Sequence, residues 1–260
     1  MQVFYVSLPW IVDEKDYNCS GRSIAEWKSR GTINLLQGIY FSLSGAVFVI
    51  LYILCLIGMV RGRLLHIPCY KLMFFNGFVD IVELITGSFV TTYFNLTGTV
   101  LCSSFDLEWF FGHASFSMWC GTTFNCAVLA VNRVVEIIPA AKSLKFLFRG
   151  NFIYIWIVLS LAYMVARPFF TRPMPFNSTV SAYVLTPMIS DDIAWEMTYY
   201  NSYYLAFHNV TVLTLLFILY PLLCWYVANI GRAARHSIDK QQIRIKAAPR
   251  FNDKDAPTEH

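Results

Sequence analysis

LMFFNGFVDIVELITGSFVTTYF, residues 72–94, is an apolar run that carries two carboxylates, Asp80 and Glu83. As a helix rising 1.5 Å per residue, a run of this length crosses the ~30 Å of a bilayer's hydrocarbon. Asp80 then lies ~15 Å deep, near the middle of the bilayer, where an ionisable group must face a polar interior, pair or take up a proton. Such a helix belongs in a bundle, and the segment marks a polytopic membrane protein.

Working outward, four further stretches have the same character: residues 33–60, 109–131, 152–170 and 203–230. The fourth span, 152–170, is the weakest, because Arg167 and Pro168 interrupt its end. The runs are continuously apolar, which predicts helices and not the alternating strands of a barrel. Composition agrees: 57% of the 260 residues are hydrophobic and only 14% are charged, with a mean hydropathy of +0.51. A water-soluble domain does not keep that much apolar surface dry. The expected organisation is an outer N-terminal segment over 1–32, an all-α membrane core over 33–230 and a basic, polar tail over 231–260.

Basic residues set the expected orientation. Arg61, Arg63 and Lys71 fall between the first two spans, Lys142, Lys145 and Arg149 between the third and fourth, and Arg232, Arg235 and Lys240 in the tail. These segments are expected in the cytoplasm, with the N-terminus outside. Glycosylation sequons begin at Asn18, Asn95 and Asn177, all on the side expected to be extracellular. The first span is expected to act as an uncleaved signal anchor, since Met1 to Val12 has no basic start and no small-residue cleavage site. Of seven cysteines, only Cys19 and Cys102 fall on the oxidising side, so they form a disulfide or remain two free thiols.

Polar residues inside the spans carry the candidate chemistry. Asp80 reads either as a cation- or water-filled switch site between helices or as a hydrogen-bonded packing contact; Glu83, one turn on and on the same side, reads as packing. At the inner end of the third span, Asn132-Arg133 is followed by Glu136, which places an arginine where an acid can pin it or a cytoplasmic partner can receive it. His208, Thr122 and Asn125 read as interhelical hydrogen-bond partners. Tyr93, Trp109, Tyr203, Tyr204, Trp225 and Tyr226 read as interface anchors.

Several of these stretches resemble one family. Cys69 to Ile81, CYKLMFFNGFVDI, is similar to the second-helix signature of the nematode serpentine chemoreceptors of class T, a rhodopsin-like branch of seven-transmembrane G-protein-coupled receptors. Gly98 to Ser103, Trp119 to Thr123 and Leu129 to Glu136 resemble the same family, with Asn-Arg where most rhodopsin-like receptors carry Asp-Arg. The resemblance runs from about Gly31 to about Ile245. It implies a helical bundle with five of the seven helices present, an outward-facing pocket for a small-molecule ligand and a cytoplasmic cleft for a heterotrimeric G protein. Asp80 would be the buried second-helix acid, Arg133 the switch arginine and Cys102 the third-helix cysteine. The loop from Pro168 to Tyr203 has no cysteine, which leaves Cys19 as the partner of Cys102.

A shortened isoform or degenerate copy with impaired signalling is the resulting expectation, located in the plasma membrane, retained in the endoplasmic reticulum or associated with other receptors. The alternative is a complete five-span transporter or channel subunit. An enzyme is disfavoured, because no His-Glu-x-x-His or Gly-x-Ser-x-Gly constellation occurs. No cofactor or metal is implied. The tail's charge serves orientation and anionic lipid, not nucleic acid.

Overall fold

The computed structural model describes the backbone of residues 5, 6 and 8–247 and side chains as far as Arg232. The polar end expected over 251–260 lies outside the described residues. Eight α-helices are described: α1 (Ile24–Ser29), α2 (Leu35–Arg61), α3 (Pro68–Leu84), α4 (Thr91–Thr97), α5 (Phe105–Ile137), α6 (Phe152–Phe170), α7 (Ile193–Tyr199) and α8 (Tyr203–Ala247). A π-turn over Ile85–Val90 joins α3 to α4 as one continuous rod. Among the described residues, α2, the α3–α4 rod, α5, α6 and α8 are long and apolar enough to cross a membrane. The chain is an all-α, receptor-type bundle with little strand.

Much apolar surface is turned outward. None of the apolar window of α8 is buried, and only 6% of that of α2, against 39% of that of α5. Leu36, Phe207, Leu213 and Phe217 are each more than two-thirds exposed, an arrangement that water penalises and hydrocarbon accepts. The central helix is α5, which packs against α3, α6 and α8, while α2 packs along α3 and α4. Leu72, Val128, Val135, Phe148 and Ile153 form a core at the Arg133 end. There Trp156 stacks on Phe148 at 5.5 Å and donates its Nε1 proton to Leu147 O at 3.0 Å, fastening the 3-10 turns of Pro139–Phe148 to α6.

Two departures from helical regularity stay inside the spans. Around the π-turn hydroxyls add their own donors to the carbonyls: Thr86 donates to Val82 O at 3.1 Å, Ser88 to Leu84 O and Thr91 to Thr86 O at 3.4 Å. In α6 the helix runs through Pro168 to Phe170 rather than breaking at Arg167. Pro168 falls in the last turn, where few hydrogen bonds remain to be lost, and Thr171 Oγ1 donates back to Arg167 O at 2.8 Å.

At the opposite end from Arg133, residues 8–34 and 171–202 fold over the bundle as a cap. Its strands β1 (Phe176–Asn177) and β2 (Ala182–Tyr183) pair antiparallel, and Phe176 stacks on Phe94 of α4 at 5.5 Å. A second cluster, Tyr17, Leu101, Trp109 and Tyr200, lies under this cap.

Close helix approach depends on small residues. A Cβ on Gly45 of α2 would stand 2.1 Å from Ser88 Oγ and 2.3 Å from Ser88 Cβ, whereas one on Gly58 of the same helix would meet nothing within 4 Å. Because Ser88 is 4% exposed, it has no room to yield. Gly45→Ala therefore costs about 1–3 kcal/mol, and Gly58→Ala is neutral or stabilises by up to ~1 kcal/mol. Thermal melting of the purified protein in one detergent checks the pair; equal midpoints for the two variants contradict the packing.

Candidate ligand cavity and switch arginine

Beneath the cap lies a cavity of about 310 Å³ walled by three helical elements and one loop. The α3–α4 rod contributes Glu83 and, from the π-turn, Gly87; α5 contributes Ser115, Phe116 and Trp119; α8 contributes Leu205 and Asn209; the cap contributes Met174 and Tyr183. These residues meet because α5 is central and because the π-turn sets Gly87, with no side chain to fill the space, against it. Trp119 Nε1 donates to Asn209 Oδ1 at 3.3 Å, closing the wall between α5 and α8. Burial pushes the Tyr183 phenol up to about 12, against the opposing pull of the Ser115 and Thr91 hydroxyls. It therefore stays a neutral hydroxyl at the cavity's roof. The site suits a small, mostly apolar molecule with one or two polar groups.

The cap holds this roof by buried polar contacts. Glu108 of α5, fully buried, accepts the Phe176 backbone N–H at 2.6 Å, and Gly112 O accepts that of Met174 at 3.3 Å. Cys19 and Cys102 are disulfide-bonded with their Cα atoms 5.5 Å apart, tying the N-terminal segment to the approach to α5. Arg172 pairs with Asp16 at 2.7 Å, both side chains under 10% exposed. Tyr199 and Tyr200 flank its guanidinium at 4.8 and 4.9 Å, Tyr199 Oη donates to Asp16 Oδ1 at 2.9 Å, and Tyr200 Oη donates to Asp16 O. Burial works against the Arg172 charge, but the hydrogen bond and charge of Asp16 outweigh it and raise the guanidinium above its ordinary range. Burial also raises the Tyr17 and Tyr200 phenols.

Of the two intramembrane carboxylates, Glu83 lines the cavity. Asp80 instead accepts from Asn76 Nδ2 at 2.8 Å, with Tyr52 of α2 beside it. His208 meets Thr123 Oγ1 and Tyr163 Oη, each at 2.9 Å, and so joins α8 to α5 and α6. At the far end of α5, Arg133 Nη2 reaches Met73 Sδ of α3 at 3.3 Å. Glu136 pairs with Lys145 at 3.4 Å rather than with Arg133. Asn132 is 1% exposed, its Oδ1 without a hydrogen-bond partner. No group of three His, Cys, Asp or Glu stands close enough to hold a metal ion among the described residues.

This geometry, a cavity under a disulfide-tied cap and an arginine at the other end of the same helix, meets a matching sequence profile. Residues 1–248 match the family described as serpentine type 7TM GPCR chemoreceptor Srt. The chain belongs to the Srt family. It is 28% identical over 229 residues to serpentine receptor class T-55 of Caenorhabditis elegans, an alignment covering 85% of this chain and 60% of that protein. The chain thus spans about three-fifths of the length of the relative it matches. No solved structure matches. Srt proteins are receptors, not enzymes.

Sequence reasoning passed over three groups that the Srt fold uses. Glu108 reads in the sequence only as outer-loop charge, and Asp16 only as the end of an acidic patch; neither reveals its burial. Arg172 stands out as the lone basic residue between Pro168 and Tyr203, and that isolation was its one legible signal. The sequons also separate in space. Asn18 is exposed and sits in an Asx turn, accepting Ser20 N–H at 2.8 Å. Asn95 is fully buried and Asn177 is 3% exposed. Asn95 accepts from Ser181 Oγ at 2.7 Å.

The buried pair at the cap's centre makes a quantitative expectation. Asp16→Asn and Arg172→Gln each destabilise the protein by about 3–5 kcal/mol, because each strands its partner, and the double variant loses less than the sum. Cys19→Ser costs about 2–5 kcal/mol, and adding Cys102→Ser costs little more. Melting of the wild type, the three Asp16 and Arg172 variants and the three cysteine variants, Cys102→Ser alone included, under non-reducing conditions checks both; strict additivity in either cycle contradicts the coupling.

Proposed function

We propose that this Srt-family chain is part of a chemosensory G-protein-coupled receptor that takes a small-molecule ligand in the 310 Å³ cavity and couples to a heterotrimeric G protein at the Arg133 end. The observation that carries this reading is that α5 joins the two places: Ser115, Phe116 and Trp119 wall the cavity, and Asn132-Arg133 lies four turns further along the same helix. A ligand shifts an equilibrium only through contacts that differ between two states. Arg133 supports such a pair of states, since among the described residues no carboxylate lies within ion-pair distance of it, leaving it free to engage a partner. Family membership favours the receptor over a transporter or channel.

In the proposed topology the cap is extracellular, which places the disulfide in an oxidising compartment and Lys142 and Lys145 in the cytoplasm. Asn18 is then the glycosylation site, being the exposed one of the three sequon asparagines on the outer side, with a fourth, Asn209, inside the last span. The protein is multi-pass and destined for the plasma membrane. Retention in the endoplasmic reticulum and association with other receptors belong to the same proposal.

A cell line reporting G-protein activation, screened with a panel of small volatile and water-soluble compounds, tests the reading. Activating compounds are expected to lose their effect with Leu205→Trp, which fills the cavity, and with Arg133→Ala, which leaves ligand binding intact. A response that survives both variants rejects the assignment. The same assay, comparing this chain with its longer relative, reads the impaired signalling expected from the sequence. Protease digestion of a C-terminal tag from outside intact cells rejects the topology.

A further inference from the structure

Arg167 is 3% exposed and lies one turn from the end of α6. Its guanidinium carbon sits 4.3 Å from the ring centroid of Phe116 and 4.2 Å from that of Tyr204, with Tyr163 at 5.8 Å. Nε and Nη2 have no hydrogen-bond partner, and no ion pair within 4 Å among the described residues includes this arginine. Its hydroxyl and imidazole neighbours are occupied with one another: Tyr204 Oη donates to Tyr163 Oη at 3.0 Å, and Tyr163 Oη meets His208 Nδ1 at 2.9 Å. The guanidinium has a hydrogen bond to the Cys120 thiol, which leaves Nε and Nη2 unpartnered.

An arginine does not shed its charge on burial. Aromatic faces offset part of the cost of desolvating it, but they leave its in-plane donors unanswered. Nε and one Nη form the edge that receives a planar carboxylate in two parallel hydrogen bonds. Phe116 joins this group to the cavity, since the ring that stacks on the guanidinium also lines the 310 Å³ space. In α8 the next residue after Tyr204, Leu205, lines that space as well.

Resting on the reading of that cavity as the ligand site, we propose that the ligand is a monocarboxylate with an apolar body and that Arg167 is its counterion. The body fills the cavity, and the carboxylate meets Nε and Nη2 once the Phe116 ring swings aside. At the ~30 Å³ that a water occupies in the liquid, the space takes a molecule of about ten non-hydrogen atoms.

Octanoate and phenylacetate, with octanamide and phenylacetamide as neutral isosteres, test this on the full chain purified in detergent. The readout is the melting midpoint across ligand concentration. Both acids are expected to raise the wild-type midpoint and the amides to leave it unchanged. Arg167→Gln is expected to weaken acid binding by about tenfold or more, while Arg167→Lys, a point charge without the fork, retains part of it. Without ligand, Arg167→Gln is expected to melt no lower than wild type, which keeps loss of binding separate from loss of fold. Leu205→Trp abolishes the acid-induced shift. Acids without effect on the wild type, an acid shift that survives Arg167→Gln, or equal shifts from acids and amides would each overturn the assignment. Equal shifts that Leu205→Trp abolishes would overturn the anionic ligand while sustaining the cavity as the binding site; shifts indifferent to Leu205→Trp would remove both.

Discussion

Hydrocarbon offers a peptide group nothing to bond with, so each N–H and C=O inside the membrane has to find its partner within the protein. The five long helices satisfy that demand by their own ladders, and hydroxyls add donors where the ladder changes pitch. Thr86, Ser88 and Thr91 surround the π-turn, and Thr171 closes the turn behind Pro168. Irregular backbone is confined to the cap and to the short connections at the other end, apart from that turn. The turn itself faces the cavity through Gly87, so the bundle's one marked irregularity along the rod lies where a ligand space exists.

The two ends of the bundle are held by different forces. At the Arg133 end the contacts are apolar, with Phe148 and Trp156 pinning the 3-10 segment against α6. At the cap they are ionic, covalent and aromatic: Asp16 with Arg172, Cys19 with Cys102, and Trp27 between Arg22 and Arg30 at 5.1 and 5.5 Å. Asp191 completes the rim, pairing with Arg22 at 2.7 Å and Arg30 at 3.2 Å while itself largely exposed, so water and salt weaken these pairs far more than the buried one. A rigid roof fixed at Asp16 and Cys19 with a loosely held rim is suited to a cavity that small molecules enter.

Fold class was legible because hydrophobic runs carry it directly: Leu72 to Phe94 needs no partner to be read as a span. The family was legible from short stretches such as Asn132-Arg133 and Asn76 to Asp80. Side-chain partnerships were not. Glu83 reads as packing and Asp80 as either a switch site or a hydrogen-bonded packing contact; in the structure Glu83 lines the cavity and Asp80 accepts from Asn76. Which side of a helix looks inward is something hydrophobic periodicity does not reveal in a continuously apolar run. Arg167 reads as the spoiler of a weak span, because a sequence gives no hint that Phe116 and Tyr204, from two other helices, will close around it.

The π-turn also governs the phase of everything that follows it. A wide turn amounts to one residue more than a regular ladder needs, and one residue is about 100° of helix rotation. Were Ile85–Val90 to tighten into regular α-helix with every residue kept, the face of Thr91–Thr97 would swing around by that angle. Phe94 would leave Phe176 and Asn95 would leave Ser181, detaching the roof from the rod without touching a residue of the cap. In this protein the pitch of one turn in the membrane is therefore felt at the outer loop, and a one-codon deletion there, by taking up the surplus residue, would leave the roof in phase.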